Sequence, residues 1–124
     1  MSFIETTRNG HVLEIKVNRA DKHNALSPEM YSDLARAYAE LSHDPDLRVA
    51  LLYADGKHFT SGIELDKWAP IFSGGQGFSV GEGEIDPFGL KGPRHSKPVV
   101  MAMQGNCFTW GVEIMLNTEV RVAA

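Results

Sequence analysis

The chain opens with two short stretches rich in strand-forming residues, at positions 3–8 and 12–17, separated by Asn9-Gly10. An Asn-Gly pair readily takes positive φ and is typical of the tight turn between two antiparallel strands. The pattern therefore predicts a β-hairpin at the start of the chain.

A helix is predicted to begin directly after Ser27. Serine is a favoured N-cap, and Pro28 suits the first helical position. The apolar residues that follow recur at helical spacing and fall on one face: Met30, Leu34, Ala37, Tyr38 and Leu41. This helix is expected to end near Asp44-Pro45, because a proline disfavours helical backbone at the residue before it.

Residues 49–54 and 98–103 are apolar runs of strand length. Runs of this kind predict two central strands that are buried on both faces. Strands that alternate with helices indicate an α/β domain. Between the two runs, residues 73–92 contain many glycines and no apolar periodicity, so we expect a loop, much of it mobile, that resembles a lid.

Composition favours one globular domain over residues 1–124, with 43% hydrophobic and 23% charged residues. The single cysteine, Cys107, has no disulfide partner and the start carries no apolar signal stretch, so a cytoplasmic protein is expected. The longest apolar run, residues 99–103, is far shorter than the ~20 residues of a membrane span. A net charge of -4 argues against a nucleic-acid partner. The five histidines lack paired ligand spacing, which argues against a metal site.

The first segment with possible chemistry, residues 17–26, runs from the end of a strand to the cap of the helix. It is open to two interpretations. One is an ordinary polar connection. The other is a cradle for a phosphorylated ligand, formed by Lys22 and the backbone near Ala25, because phosphate requires cations and free backbone N–H groups.

The second segment, residues 54–66, follows a predicted strand directly. Ligand sites in open α/β sheets favour the carboxyl ends of strands. An exposed N–H just after Gly62, opening a short helix, would direct partial positive charge at an anion. An ordinary strand-to-helix loop is the alternative, and His58 is interpreted as a loop histidine and not a catalyst.

The third segment, residues 97–114, contains a predicted strand, a turn at Gly105 and a helix that opens near Thr109. Glu113 then lies in the first turns of that helix, among apolar neighbours. Such a carboxylate is either a surface partner of the helix dipole or a buried acid/base group with a perturbed pKa.

Taken in order, these segments resemble three motifs of the crotonase superfamily, the enoyl-CoA hydratase/isomerase family. Residues 18–26 (NRADKHNAL) resemble its "N-R/P-P…N-A-L" start, and residues 56–65 (GKHFTSGIEL) resemble its "G-x-x-F-(S/C)-A-G-x-D-L" element. Residues 97–114 resemble "K-P-V-I-A-A-(V/I)-x-G…G-G-G-x-E-L". The resemblance covers residues 3–124. It implies an α/β fold of the crotonase type, the N-terminal portion of a ββα superhelix, without the family's C-terminal helical region.

The resemblance also implies a site. It assigns two oxyanion-hole donors to the backbone amides of Ile63 and Trp110, and acid/base catalysis to Glu113. Contacts with the coenzyme A part of the substrate are assigned to Lys22, Ala25, Ser61, Gly62, Glu64, Leu65 and Asp66. No cofactor beyond coenzyme A within the substrate is implied. The expected partner is an acyl-CoA thioester, and the full-length assembly is expected to be a homotrimer or hexamer.

The implied activity is that of an enoyl-CoA hydratase or isomerase that stabilises a thioester enolate. Other reactions of the superfamily, such as thioester hydrolysis and dehalogenation, and a non-catalytic acyl-CoA-binding module are the alternatives. Three departures bear on the choice. Trp110 replaces a glycine, which would be strained at positive φ and would project an indole near the thioester. Glu64 replaces an aspartate, and the family's second catalytic glutamate, which follows the first further along the chain, has no counterpart among residues 1–124.

Overall fold

The computed structural model describes residues 2–124 and contains one five-stranded sheet. The strands are β1 (Ile4–Asn9), β2 (Val12–Val17), β3 (Val49–Ala54), β4 (Val99–Met103) and β5 (Val120–Ala123). They lie side by side in chain order. β1 runs antiparallel to β2, and every later pair is parallel.

Three α-helices connect the parallel strands: α1 (Pro28–His43), α2 (Leu65–Ser73) and α3 (Trp110–Leu116). A short 3-10 turn, Ala20–Lys22, precedes α1. Because β2, β3 and β4 are parallel, the connections that leave their carboxyl ends all begin at the same edge of the sheet. This edge is where the three sequence segments with possible chemistry lie. None of the helices within residues 2–124 is long and apolar enough to cross a membrane.

The predicted hairpin and first helix are confirmed. Gly10 has φ of 62° in the turn between β1 and β2. The Ser27 hydroxyl accepts a hydrogen bond from the Met30 amide at 3.2 Å, which caps α1. The apolar face of α1 packs in one core cluster with the buried residues of β2 and β3, among them Leu13, Ile15, Ala50 and Leu52.

The prediction that the central strands are buried on both faces is wrong for this chain. In β3, Ala50, Leu52 and Ala54 are buried, whereas the alternate residues are only half-buried. The reason is that a strand points successive side chains to opposite faces. Within residues 2–124, the face with the buried residues is the one that meets the core shared with α1.

The connection from α2 to β4, residues 74–98, has no helix or strand, as expected, but its middle is packed. Ile85 and Phe88 are 3% and 4% exposed. The buried Asp86 carboxylate accepts hydrogen bonds from the Tyr31 hydroxyl at 2.9 Å and from the amides of Phe88, Leu90 and Lys91 at 2.9 to 3.2 Å. The residues around Asp86 are thus fixed against α1.

Candidate functional site

Three connections meet at the carboxyl edge of the sheet: residues 18–27 after β2, 55–64 after β3 and 104–109 after β4. Two isolated parallel bridges join them. Leu26 pairs with Ile63, and Thr60 pairs with Cys107. The second connection therefore lies between the other two and contacts both.

One buried hydroxyl joins the first two connections to Trp110, the residue that directly follows the third. Thr60 Oγ1 donates to the Asn24 carbonyl at 2.8 Å and accepts from the Gly62 amide at 3.0 Å and from Trp110 Nε1 at 2.7 Å. A threonine hydroxyl has one proton and two lone pairs. All three are used here, so Thr60 fixes the relative positions of Asn24, Gly62 and Trp110.

Asn24 adds a second set of bonds between the first two connections. The residue is fully buried and has φ of 57°, a conformation that asparagine tolerates better than most residues. Its side-chain oxygen accepts from the Arg19 amide at 2.8 Å, and its Nδ2 donates to the carbonyls of Asp55 and His58 at 2.8 and 3.0 Å. This asparagine fastens the first connection to the second.

A cavity of about 210 Å³ opens beside these connections. Its lining brings together the three residues predicted to be catalytic, Ile63, Trp110 and Glu113, with Phe78, Phe88 and Thr109. Among the hydrogen bonds found within residues 2–124, the amides of Ile63 and Trp110 donate none, although the amides of Leu26, Glu64 and Gly111 are all bonded to carbonyls. Two unpaired backbone donors thus belong to residues that line one cavity.

The amide of Ile63 differs in setting from the sequence expectation. It was expected to open a short helix, but α2 begins two residues later, at Leu65. Ile63 instead pairs with Leu26 in a short parallel bridge. The bonds from Leu26 N to Gly62 O and from Glu64 N to Leu26 O, both 2.9 Å, hold the backbone on either side of this amide.

The backbone strain lies at Thr109 and not at Trp110. Thr109 has φ of 46° and ψ of -104°, close to the first central position of a type II′ turn, which glycine dominates. Trp110 is absent from the residues with positive φ. A β-branched residue is strained in this region. Because the peptide unit is planar, ψ at Thr109 sets the direction of the Trp110 N–H.

The Trp110 indole does not project freely toward a ligand, which corrects the sequence expectation. It is 1% exposed, its Nε1 donates to Thr60 Oγ1 at 2.7 Å and to the Gly62 carbonyl at 3.0 Å, and its ring packs against Phe59. The indole therefore forms part of the support beneath the cavity. Its removal would leave a void and break the bond to Thr60.

Gly111 allows this packing because it has no side chain. A Cβ there would lie 2.6 Å from Cys107 Sγ and 2.8 Å from Thr60 Cγ2, both far inside van der Waals contact. The turn that opens α3 therefore lies directly against Cys107 and Thr60.

Glu113 is exposed and lines the cavity. No hydrogen bond or salt bridge within residues 2–124 engages its carboxylate. Within residues 2–124, Glu113 is therefore not buried among apolar neighbours, which was one of its two interpretations. The carboxylate is accessible to a ligand or a water molecule in the cavity.

Glu64 binds a buried arginine and not the cavity. Arg19 donates from its two terminal nitrogens, Nη1 and Nη2, to the two Glu64 oxygens, each at 2.9 Å, and Lys67 Nζ lies 3.7 Å from Glu64 Oε2. The hydrogen bond from Arg19 lowers the pKa of the Glu64 carboxyl below its usual value. This ion pair fastens the first connection to the start of α2, and nothing in the sequence pattern singled out Arg19 as its partner.

The other predicted contacts with coenzyme A lie outside the cavity that holds Glu113. Gly62 is buried with φ of 128°, and Ala25 is half-buried. The Ala25 amide already donates to the Lys22 carbonyl at 3.0 Å, so it is not free for a phosphate. The remaining predicted residues are exposed: Lys22, Ser61, Leu65 and Asp66.

His58 makes a contact with the backbone of the third connection. Its Nδ1 accepts a hydrogen bond from the Asn106 amide at 2.9 Å, which ties the second connection to the third. Over residues 2–124, no group of three or more histidine, cysteine, aspartate or glutamate side chains is placed to hold a metal ion.

Comparison with known proteins supplies the family. Residues 7–124 match the family model described as Enoyl-CoA hydratase/isomerase. The chain belongs to the enoyl-CoA hydratase/isomerase family. It is 38% identical over 119 residues to Enoyl-CoA hydratase EchA19 of Mycobacterium tuberculosis, a match that covers 94% of this chain and 44% of that protein.

Other members of the enoyl-CoA hydratase/isomerase family show the same coverage. The mitochondrial Delta(3,5)-Delta(2,4)-dienoyl-CoA isomerase of Dictyostelium discoideum is 25% identical over 130 residues, covering 98% of this chain and 44% of that protein. A crystal structure of a probable enoyl-CoA hydratase/isomerase from Mycobacterium abscessus superposes with a TM-score of 0.91 at 37% identity, covering 98% of this chain and 47% of that one. The fold is therefore of the crotonase type, and the chain spans less than half the length of the relatives it matches.

We predict that Thr60→Val lowers the free energy of unfolding by about 1–3 kcal/mol, because the substitution keeps the side-chain volume but leaves the Gly62 amide without its acceptor. Thr60→Ser keeps the hydroxyl and is expected to cost less than about 1 kcal/mol. Urea denaturation of both variants measures the difference. Equal stabilities for the two would show that the hydroxyl does not hold the connections together.

We predict that Glu64 contributes to the acid sensitivity of the fold. Its pKa is lowered in the folded state, so the stabilisation is present above the unfolded-state pKa of about 4.3 and is lost as the pH falls through the folded-state value. Glu64→Gln should therefore flatten the dependence of unfolding free energy on pH below about 4.5. Glu82→Gln, at an exposed carboxylate without a hydrogen-bond partner among residues 2–124, should leave that dependence unchanged.

Proposed function

We propose that this chain carries the enolate-stabilising site of an acyl-CoA hydratase or isomerase. The observation that carries the proposal is the pair of unbonded amides, Ile63 and Trp110, on residues that line one cavity with Glu113. The names of the relatives support the same class of reaction, since they include an enoyl-CoA hydratase and a dienoyl-CoA isomerase.

The chemistry requires two donors at one oxygen. When water adds to the β carbon of a 2-enoyl thioester, or when a proton leaves the α carbon, negative charge develops on the thioester oxygen. Backbone N–H groups that are already oriented stabilise this charge without reorganisation, and removal of one such donor typically costs about 3–4 kcal/mol of transition-state stabilisation. In this proposal the amides of Ile63 and Trp110 bind the enolate oxygen.

Glu113 is the acid/base group of the proposed reaction. In hydration its carboxylate accepts a proton from water as the oxygen bonds to the β carbon, and the protonated Glu113 then returns that proton to the α carbon as the enolate collapses. In isomerisation the same carboxylate moves a proton from one carbon of the acyl chain to another. Its exposure to the cavity and its lack of a protein partner within residues 2–124 suit both roles. Hydration is preferred, because a carboxylate that activates water is what hydration needs beyond enolate stabilisation.

The coenzyme A portion of the substrate is assigned to the surface around the first two connections. Lys22 is an exposed cation there, and Ser61 is exposed directly before Gly62. Coenzyme A enters as part of the substrate, and no separate cofactor is proposed. Assembly into trimers or hexamers and a cytoplasmic location remain predictions for the full-length protein.

A non-catalytic acyl-CoA-binding module is the second candidate. Glu113 is the single carboxylate among the residues of the described chain that line the cavity, whereas the family resemblance implies two. Such a module would bind acyl-CoA without turning it over.

We predict that Glu113→Gln lowers kcat for hydration of crotonyl-CoA by about 10²–10⁴-fold, because the amide cannot accept a proton from water. The loss of absorbance of the conjugated double bond measures the rate in the full-length protein. Glu29→Gln, at an exposed position on α1 outside the cavity, is the control and should keep the wild-type rate. An unchanged rate in Glu113→Gln rules out this residue as acid/base, and calorimetric binding of acyl-CoA without turnover by the wild type supports the binding module.

We predict that Trp110→Pro has a kcat about a hundredfold or more below that of Trp110→Ala. Both variants lose the indole and its packing, but only proline lacks the N–H. Proline suits the first position of a helix, where Trp110 lies, but it also favours extended backbone at Thr109, so the folding of the variant has to be measured. Circular dichroism establishes that both variants fold, and equal rates in the two would show that the Trp110 amide is not an oxyanion donor.

A further inference from the structure

One wall of the cavity beside Glu113 is aromatic. Phe78, Phe88 and Trp110 line it. The two phenylalanines come from the irregular connection between α2 and β4. The polar groups of the same lining belong to Thr109, Glu113 and the unbonded amides. A ligand in this cavity therefore meets a polar part and an aromatic part.

The aromatic wall is held in place before any ligand binds. The Phe78 ring centroid lies 5.1 Å from that of Phe88 and 4.5 Å from that of Trp68, and Tyr31 lies 5.3 Å from both phenylalanine rings. The Asp86 carboxylate accepts hydrogen bonds from the Tyr31 hydroxyl and the Phe88 amide, both at 2.9 Å. A binding surface that is ordered in advance does not have to be ordered by the ligand, which favours tight binding.

The size and chemistry of the cavity suit a ring. An apolar cavity of about 150 Å³ is large enough to hold benzene, and this one measures about 210 Å³. Aromatic rings attract one another in edge-to-face or offset arrangements at centroid separations of about 4.5–7 Å. A planar ring also has few rotatable bonds to immobilise, whereas a linear alkyl chain of equal carbon number loses rotational freedom when it binds.

We propose that the acyl group of the substrate carries an aromatic ring on its β carbon, as in a cinnamoyl-type 2-enoyl thioester. The thioester oxygen then lies at the amides of Ile63 and Trp110, and the ring lies against Phe78 and Phe88. This inference rests on the proposed function, because the two amides and Glu113 define the polar end of the ligand.

The test compares three thioesters with the full-length protein: cinnamoyl-CoA, 2-nonenoyl-CoA with the same number of acyl carbons, and crotonyl-CoA. We expect kcat/KM for cinnamoyl-CoA to exceed that for 2-nonenoyl-CoA by about tenfold, the upper range of an aromatic pair. Phe78→Leu and Phe88→Leu, which replace an aromatic side chain by an aliphatic one, should each reduce this preference by about three- to tenfold. Phe72→Leu is the matched control, because Phe72 belongs to the same aromatic cluster but does not line the cavity, and it should leave the preference unchanged.

The outcomes separate this inference from the proposed function. If 2-nonenoyl-CoA is processed as well as cinnamoyl-CoA and Glu113→Gln slows both, the inference is overturned and the proposed function stands. If no thioester is turned over, the proposed function is wrong. The inference of an aromatic site is then tested by measuring the binding of the thioesters by calorimetry. Binding of cinnamoyl-CoA about tenfold tighter than 2-nonenoyl-CoA, lost in Phe88→Leu, then supports the aromatic site, and equal affinities overturn it.

Discussion

The Thr60 hydroxyl is the interaction on which the arrangement of the site depends. It lies in the second connection, donates to the first and accepts from the indole of Trp110, which directly follows the third. Both residues with unbonded amides are held close to this hydroxyl. Ile63 directly follows Gly62, whose amide donates to the hydroxyl, and the other unbonded amide belongs to Trp110, whose indole donates to it. A single buried group therefore fixes the spacing of two backbone donors that lie 47 positions apart in the sequence, between residues 63 and 110. Polar networks of this kind are rigid when every member is satisfied, and the three hydrogen-bonding capacities of this hydroxyl are all used.

Local patterns predicted the elements that local forces determine. The Asn9-Gly10 turn, the Ser27 cap and the apolar face of α1 act within a few residues, and the structure confirms each of them. β5 was missed, because its alternation of apolar and polar residues covers only four positions, all of them exposed, and the strand is ordered by pairing with β4. The packing in the middle of residues 74–98 was also not predicted, because the burial of Asp86 depends on Tyr31, which lies 55 positions earlier in the chain.

The candidate site shows the same difference between what local motifs predict and what depends on contacts between distant residues. The order and spacing of three motifs led to Ile63, Trp110 and Glu113, and the structure places them around one cavity. The same motifs suggested a ligand contact for Glu64, but the bidentate bond from Arg19 occupies that carboxylate. The sequence showed a departure at Trp110, yet the strained backbone belongs to its neighbour Thr109. Strain and side-chain pairing both depend on the three-dimensional neighbourhood, which motif spacing does not describe.

The close approach at Gly111 has an evolutionary consequence. Its backbone has no positive φ that would by itself demand glycine, so the restriction comes from the Cys107 sulfur and the Thr60 methyl group. A larger residue at position 111 becomes tolerable only when both contacts recede, through a smaller side chain at position 107 and through serine at position 60, which keeps the hydroxyl but lacks the methyl group. Positions 60, 107 and 111 are therefore coupled through space, and a substitution at position 111 depends on what the other two positions hold.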